Sequence, residues 1–295
     1  MPDGRRARSV VKVGSMQSHD LPAVPQRPPS GSPDHPSQTP DWNAAVADRL
    51  HAVRQRMASA ASAVGREPGR VQLLAVSKTF GPEVVMAGLL AGQIAFGENY
   101  IQEGVDKILA LRCWLAEPAQ RALPQPLPQP EWHCIGPIQS NKTRLVAEHF
   151  DWVQSVDRLK IAERLSEQRP AHLPPLQICL QVNIDGGPTK SGVAPSEVQA
   201  LAAAVARLPR LQLRGLMAIP EPAVDAASAQ AVFAQVRTLF DALNAWGAGG
   251  ALRQPLDTLS MGMTADLESA IAAGSTMVRV GSAIFGERAA RTAGT

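Results

Sequence analysis

The sequence predicts one closed (β/α)8 barrel of the TIM type. Three observations lead there: eight short aliphatic segments that read as strands, a helical pattern after each of them, and a chain of 295 residues, 45% hydrophobic, which suffices for one large core. Strands that alternate with helices pair in parallel, and eight is the number that closes such a sheet on itself.

The elements follow in chain order. An amphipathic helix, WNAAVADRLHAVRQRMASAA (42–61), comes first and is expected to close the barrel's bottom or to pack on its side. VQLLAVS (71–77) is the first strand; rich in aliphatic side chains and too short for an amphipathic helix, it fits a strand covered on both faces. PEVVMAGLLA is the helix behind it. QIAFG (93–97) is the second strand, followed by the helical NYIQEGVDKILALR. EWHCIG (131–136) and DWVQSV (151–156) come next, then LQICLQVNI (176–184) with PSEVQALAAAVARL as its helix. LQLRGLMAI (211–219), DTLSMG (257–262) and TMVRVG (276–281) complete the set. Two stretches fall outside the pattern. Residues 17–41 are dominated by Pro, Ser and polar residues, and residues 1–41 are expected to be a disordered extension, with Met16 an alternative start. AEPAQRALPQPLPQP (116–130) is expected to be an extended surface loop inserted into the barrel domain of residues 42–295.

Composition narrows the function classes. The formal net charge is +3, but Arg5, Arg6, Arg8, Lys12 and Arg27 lie in the first 40 residues against Asp3, Asp20 and Asp34, which leaves 24 basic and 23 acidic residues for the rest. A nearly neutral body without a basic stripe studded with aromatics argues against nucleic acid as a partner. Cys113, Cys134 and Cys179 are odd in number and lack paired spacing, so neither a disulfide framework nor a structural metal is indicated, and a reducing cytoplasm is expected. There is no apolar run long enough to span a bilayer and no signal-peptide apolar region in the first 40 residues.

Chemistry in such barrels gathers at the C-terminal ends of the strands. Those ends carry Lys78, Gly97 with Glu98 and Asn99, Gly136, Ser155, Asn183, Met217, Ser260 with Met261 and Gly262, and Arg279 with Gly281 and Ser282. A lysine at a strand end is ordinarily a surface lysine with its stem on apolar ground. Partly desolvated, its pKa would fall and suit it to form a Schiff base with an aldehyde. The segments MGMTADLESAI and VGSAIFG each give a small-residue turn into a helix, where barrels often hold a phosphate on backbone N–H groups. A Schiff-base lysine facing a phosphate cup points to pyridoxal 5′-phosphate (PLP).

The motifs LLAVSKTF (73–80), FGENYIQE (96–103), WHCIGPIQSNK (132–142), the QVNI and KSGV segments between 181 and 193, GLMAIP (215–220) and LSMGMTADLESAIAAGSTMVRVGSAIFG (259–286) resemble those of the PLP-binding, or PLP homeostasis, protein family. That family shares the N-terminal barrel of alanine racemase, the type III fold of PLP proteins. The resemblance implies that Lys78 forms the internal aldimine and that Asn99 lies near the cofactor. It implies phosphate binding by Ser260, Gly281 and Ser282, a pocket lined by Met217 and Met261, and Gly262 as a further cofactor-binding residue. Arg279 is implied to face the pyridine nitrogen; its own high pKa would leave that nitrogen unprotonated and weaken the cofactor as an electron sink. Thr264 ranks behind Ser260 as a hydroxyl ligand, its ordinary role being helix capping. His133 is expected to be a hydrogen-bonded core residue and Lys142 a surface lysine. Lys190 has an implied role in cofactor handling, but the glutamate usual in the family upstream of it is absent from NIDGGPTK.

Two functions from different classes fit this reading. A racemase-like enzyme needs a base on each face of the substrate. Lys78 serves one; in alanine racemase a tyrosine from an additional β-domain serves the other, and no such domain is expected here. Tyr100, the single tyrosine, is expected to pack at a helix start. A carrier that holds PLP on Lys78 and supplies apo-enzymes needs only the incomplete site, and is the preferred expectation, as a monomer. A phosphate-sugar aldolase would also use a lysine Schiff base, but on a different substrate.

Overall fold

A computed structural model describes residues 42–121, 126–187 and 190–286. Eight parallel strands, β1 (Gln72–Val76), β2 (Ala95–Glu98), β3 (Glu131–Cys134), β4 (Trp152–Val156), β5 (Leu176–Val182), β6 (Leu211–Ala218), β7 (Thr258–Ser260) and β8 (Met277–Val280), follow one another around a closed barrel. The seam is made by β8 returning to β1, with Gln72 opposite Met277 and Leu74 opposite Arg279. Each observed strand falls inside its predicted segment or overlaps it, the differences being one to three residues at the ends where the ladder bonds stop.

The helices are α1 (Trp42–Ala63), α2 (Pro82–Leu90), α3 (Ile101–Leu115), α4 (Pro118–Arg121), α5 (Thr143–His149), α6 (Leu159–Gln168), α7 (Val198–Val205), α8 (Ala226–Gly247), α9 (Leu267–Ala272) and α10 (Ser282–Phe285). Of the two placements expected for α1, the side is observed: its buried Val46, Leu50, Val53 and Met57 form one seam at helical spacing, and the helix packs on α2, α9 and α10. It therefore straps the outside of the β8–β1 junction. The proline-rich stretch holds one turn of helix, α4, where a loop was expected; residues 122–125 lie outside the described residues, as does the proposed extension 1–41. No helix among the described residues is long and apolar enough to cross a membrane.

Strand alternation sorts side chains between two cores. Leu73 and Ala75 of β1, Phe96 of β2, Leu259 of β7 and Val278 and Val280 of β8 face the helices in one large cluster. Leu74, Val76, Ala95 and Met277 face inward with Ile135, and Trp152, Cys179 and Met217 form a second inner group. Below them Arg214 bonds both oxygens of Asp257 and lies over the Trp152 ring at 4.8 Å, filling the bottom of the barrel.

Gly215 shows how tightly the sheet closes. A Cβ there would lie 1.7 Å from the Thr258 carbonyl oxygen on the neighbouring strand, whereas one at Gly69 would meet nothing within 4 Å. Overpacking against backbone cannot be relieved by a rotamer change. Gly215→Ala is expected to destabilise the barrel by about 3 kcal/mol or more, and Gly69→Ala by less than about 0.5 kcal/mol, as read by thermal melts of the two variants.

Candidate functional site

The C-terminal mouth holds a cavity of about 520 Å³, within the range of small-molecule sites. Its construction starts with β1. Ser77 faces outward toward the helices, so Lys78, one residue on, points into the mouth, half-buried and on the cavity wall. Val76 and Phe80 lie on either side of it along the chain. Asn99 and Ile135 contribute the wall after β2 and β3, and Ile219 the wall after β6. The loop after β7 presents Met263, Thr264 and Ala265; the end of β8 presents Arg279, and the turn into α10 presents Gly281, Ser282 and Gly286. A Cβ on Gly281 would sit 3.1 Å from the Val76 carbonyl oxygen, so glycine lets this turn close onto β1.

Arg279, only 4% exposed, is fixed by a chain of buried bonds that runs through the barrel. Its Nη1 donates to Ser260 Oγ at 2.8 Å and its Nη2 to the Ala218 carbonyl at 2.9 Å. Ser260 Oγ in turn donates to Gln154 Oε1 at 2.7 Å. Gln154 Nε2 lies 2.9 Å from His133 Nδ1 and 3.0 Å from Met277 Sδ, and His133 Nε2 lies 2.8 Å from Glu131 Oε1. One assignment satisfies every member: a neutral His133 with its proton on Nε2, accepting from Gln154 and donating to Glu131. The ring also stacks on Trp152 at 5.1 Å, so His133 is the hydrogen-bonded core residue expected.

Burial pulls the Arg279 guanidinium down to about 10, partly offset by the Asp266 carboxylate. A buried cation of this kind stabilises an anion placed beside it. Among the described residues of the cavity wall, Lys78 and Arg279 are the two cations and none is acidic. Asn99 Oδ1 is buried without a hydrogen-bond partner on the same wall, an acceptor left for a donor from a guest. Among the described residues no cluster of His, Cys, Asp and Glu could hold a metal.

The structure thus brings together Lys78, Asn99, Arg279, Gly281 and Ser282, with Thr264 in the place where Ser260 was expected. Ser260 is fully buried beneath Arg279, its hydroxyl engaged with Arg279 and Gln154. Met217 shares its layer, in the inner group with Trp152 and Cys179. Met261 follows Ser260 on the opposite face and packs in the outer cluster, and Gly262, at φ 91°, accepts the Arg279 amide through its carbonyl. None of these four lines the cavity, for reasons of parity and depth: with Arg279 directed inward at the rim, residues one layer down are covered and those one position along face the helices. Phe80, Ile135, Ile219 and Met263 were missed; they follow strand ends, yet as apolar residues they carried no chemical signal. Tyr100 is 55% exposed at the start of α3 and does not line the cavity. Lys190 bridges two rim loops, reaching Asp185 at 2.9 Å and Glu221 at 3.0 Å.

Residues 49–289 match the family model for the alanine racemase N-terminal domain, and this class is what the closed barrel with its lysine-bearing mouth defines. The chain is 53% identical over 243 residues to the pyridoxal phosphate homeostasis protein of Pseudomonas aeruginosa, covering 82% of this chain and 96% of that one. It is 51% identical over 244 residues to the protein of that name from Escherichia coli K12, covering 82% and 97%. Among solved structures it is similar to PipY of Synechococcus elongatus with PLP bound, at 36% identity and a TM-score of 0.67, covering 82% of this chain and all of that one. The chain belongs to the pyridoxal phosphate homeostasis protein family.

Behind Lys78, between β1, β2 and α3, lies a buried ion cluster. Lys107 Nζ reaches Glu98 Oε1 at 2.8 Å and Glu103 Oε1 at 2.6 Å, and Glu98 Oε1 also accepts from Ser77 Oγ at 2.7 Å. Burial raises the Glu98 carboxyl above its ordinary value of 4.5, with Lys107 opposing. A carboxyl that binds its proton more tightly folded than unfolded makes the fold most stable below its unfolded pKa, and that contribution is lost as pH rises through the folded value. The Tm of Glu98→Gln relative to wild type is therefore expected to climb as pH rises above the ordinary carboxyl value of 4.5; thermal melts against pH check it, and a falling difference contradicts it.

Proposed function

We propose that this protein binds pyridoxal 5′-phosphate in the barrel mouth through a Schiff base to Lys78 and serves the intracellular supply of that cofactor. The observation that carries the reading is a cavity whose described lining residues include two cations and no acid, one of the cations a lysine at a strand end. Lys78 would hold PLP there, its amine meeting the aldehyde that the cofactor would supply, with a C=N bond formed and one water released. The binding of PLP by PipY, 36% identical, supports the assignment.

The remaining residues fall into roles by position. Arg279, rigid on Ser260 and the Ala218 carbonyl, would face the ring nitrogen; as a permanent donor it holds that nitrogen unprotonated. Ser282 and Thr264, with the backbone at Gly281, would hold the phosphate where the loops after β7 and β8 converge. Asn99 Oδ1 offers an acceptor on the side after β2. Ser260, Met217, Met261 and Gly262 would act by supporting this wall.

The same cavity argues for a carrier over a racemase. Of the described lining residues, Lys78 alone can serve as a base, since Arg279 stays charged and Tyr100 lies outside the lining. Removing and returning an α-proton on opposite faces needs two. Release to apo-enzymes that use PLP is the corresponding cellular role.

Purified wild type with added PLP is expected to show a visible absorbance band that borohydride abolishes, leaving one phosphopyridoxyl group on Lys78 by mass spectrometry. Lys78→Ala should show neither. A colourless, unlabelled wild type returns Lys78 to the surface-lysine role, and D-alanine formed from L-alanine at enzyme-like turnover contradicts the carrier assignment.

A further inference from the structure

Lys107 is 3% exposed on α3, and a buried lysine needs a reason. Besides its two carboxylates it donates to one backbone group, the carbonyl of Ser77, at 2.7 Å. That carbonyl ends the β1 ladder: the Ser77 amide still bonds Gly97 on β2, and the carbonyl accepts from Phe80, closing a tight turn. Lys78 and Thr79 are the two central residues of this turn. Thr79 stands at φ 70°, a left-handed conformation costly for a β-branched residue. Its amide donates to Glu103 Oε1 at 2.5 Å, and Glu103, one helical turn before Lys107, is that lysine's second partner.

Both peptides flanking Lys78 are thus gripped from α3, one by an ammonium and the other by a carboxylate, and the two gripping groups are paired with each other. We propose that Lys107 and Glu103 are positioning residues that fix the Lys78 turn and so set how tightly the protein retains its ligand. Neither lines the cavity. A lysine side chain has four rotatable bonds, so its reach to a fixed aldehyde depends on a fixed Cα. The strained Thr79 amide is the point at which the turn would relax if Glu103 let go. This role rests on PLP being held by Lys78, and it also makes a claim about the ligand-free protein.

The test compares wild type, Glu103→Ala and Glu103→Gln, Glu103 being partly exposed so that the variants should fold. Glutamine keeps an acceptor for the Thr79 amide, and alanine removes it. In ligand-free protein, hydrogen exchange at the Thr79 amide should be slow in wild type, fast in Glu103→Ala and largely restored in Glu103→Gln. With PLP loaded, loss of the borohydride-reducible group to excess apo-acceptor should quicken by about tenfold in Glu103→Ala and much less in Glu103→Gln. The double variant Lys107→Met with Glu98→Gln, which removes the buried charges together, should also lose PLP faster. Thr79 exchange and PLP retention unchanged in Glu103→Ala overturn the proposal. So does equal loss in the alanine and glutamine variants with a matching fall in Tm, the mark of general destabilisation. Wild type that takes up no PLP defeats the parent reading; Thr79 exchange that still follows the expected order separates that failure from one in the clamp.

Discussion

A pleated strand turns successive side chains to opposite faces, and at the end of β1 this alternation decides what the mouth contains. Ser77 faces the helices and joins a buried ion cluster; Lys78 faces the cavity. A shift of one residue would turn the amine out of the mouth and toward the ion cluster behind it. The same parity at β7 and β8 sends Ser260 and Arg279 inward and Met261 and Val280 outward. Register is therefore the primary constraint, and the large outer cluster enforces it, since slipping any one strand would expose a row of aliphatic groups.

Charge is handled differently on the two sides of the sheet. Outside, Lys107 meets two carboxylates, so the buried charges compensate one another. Inside, Arg279 is met by neutral acceptors, a hydroxyl and a carbonyl, and no described residue brings an anion into contact with it. The polar chain through Ser260, Gln154 and His133 to Glu131 orders dipoles away from the cation and ends on a carboxylate that is 38% exposed. The barrel interior is thus arranged to hold a positive group still while leaving it receptive to an anion.

The fold was legible because its signal is repetition: eight aliphatic segments with helices between them are readable without any contact being known. Lys78, Asn99, Arg279, Gly281 and Ser282 were legible as strand-end residues with chemistry of their own. Ser260, Met217, Met261 and Gly262 share those strand ends, and their burial depends on depth and facing, which a linear reading blurs by a residue. The apolar wall from Ile135, Ile219 and Met263 carries no pattern distinct from core. Lys107 carries no mark of its burial in the linear sequence, since that burial comes from a glutamate on another element, whose inward or outward facing is not readable there.

The seam between β8 and β1 gives the barrel a temporal property. Lys78 follows the first strand and Arg279 lies on the last, and they reach the same cavity only when strands about two hundred residues apart in sequence have paired and α1 has strapped the junction. During synthesis the lysine emerges early and the arginine late, so a growing chain carries Lys78 long before the cavity it faces exists. Occupancy of the cavity then amounts to a certificate of completed folding, and any guest that fills it bolts the first strand to the last.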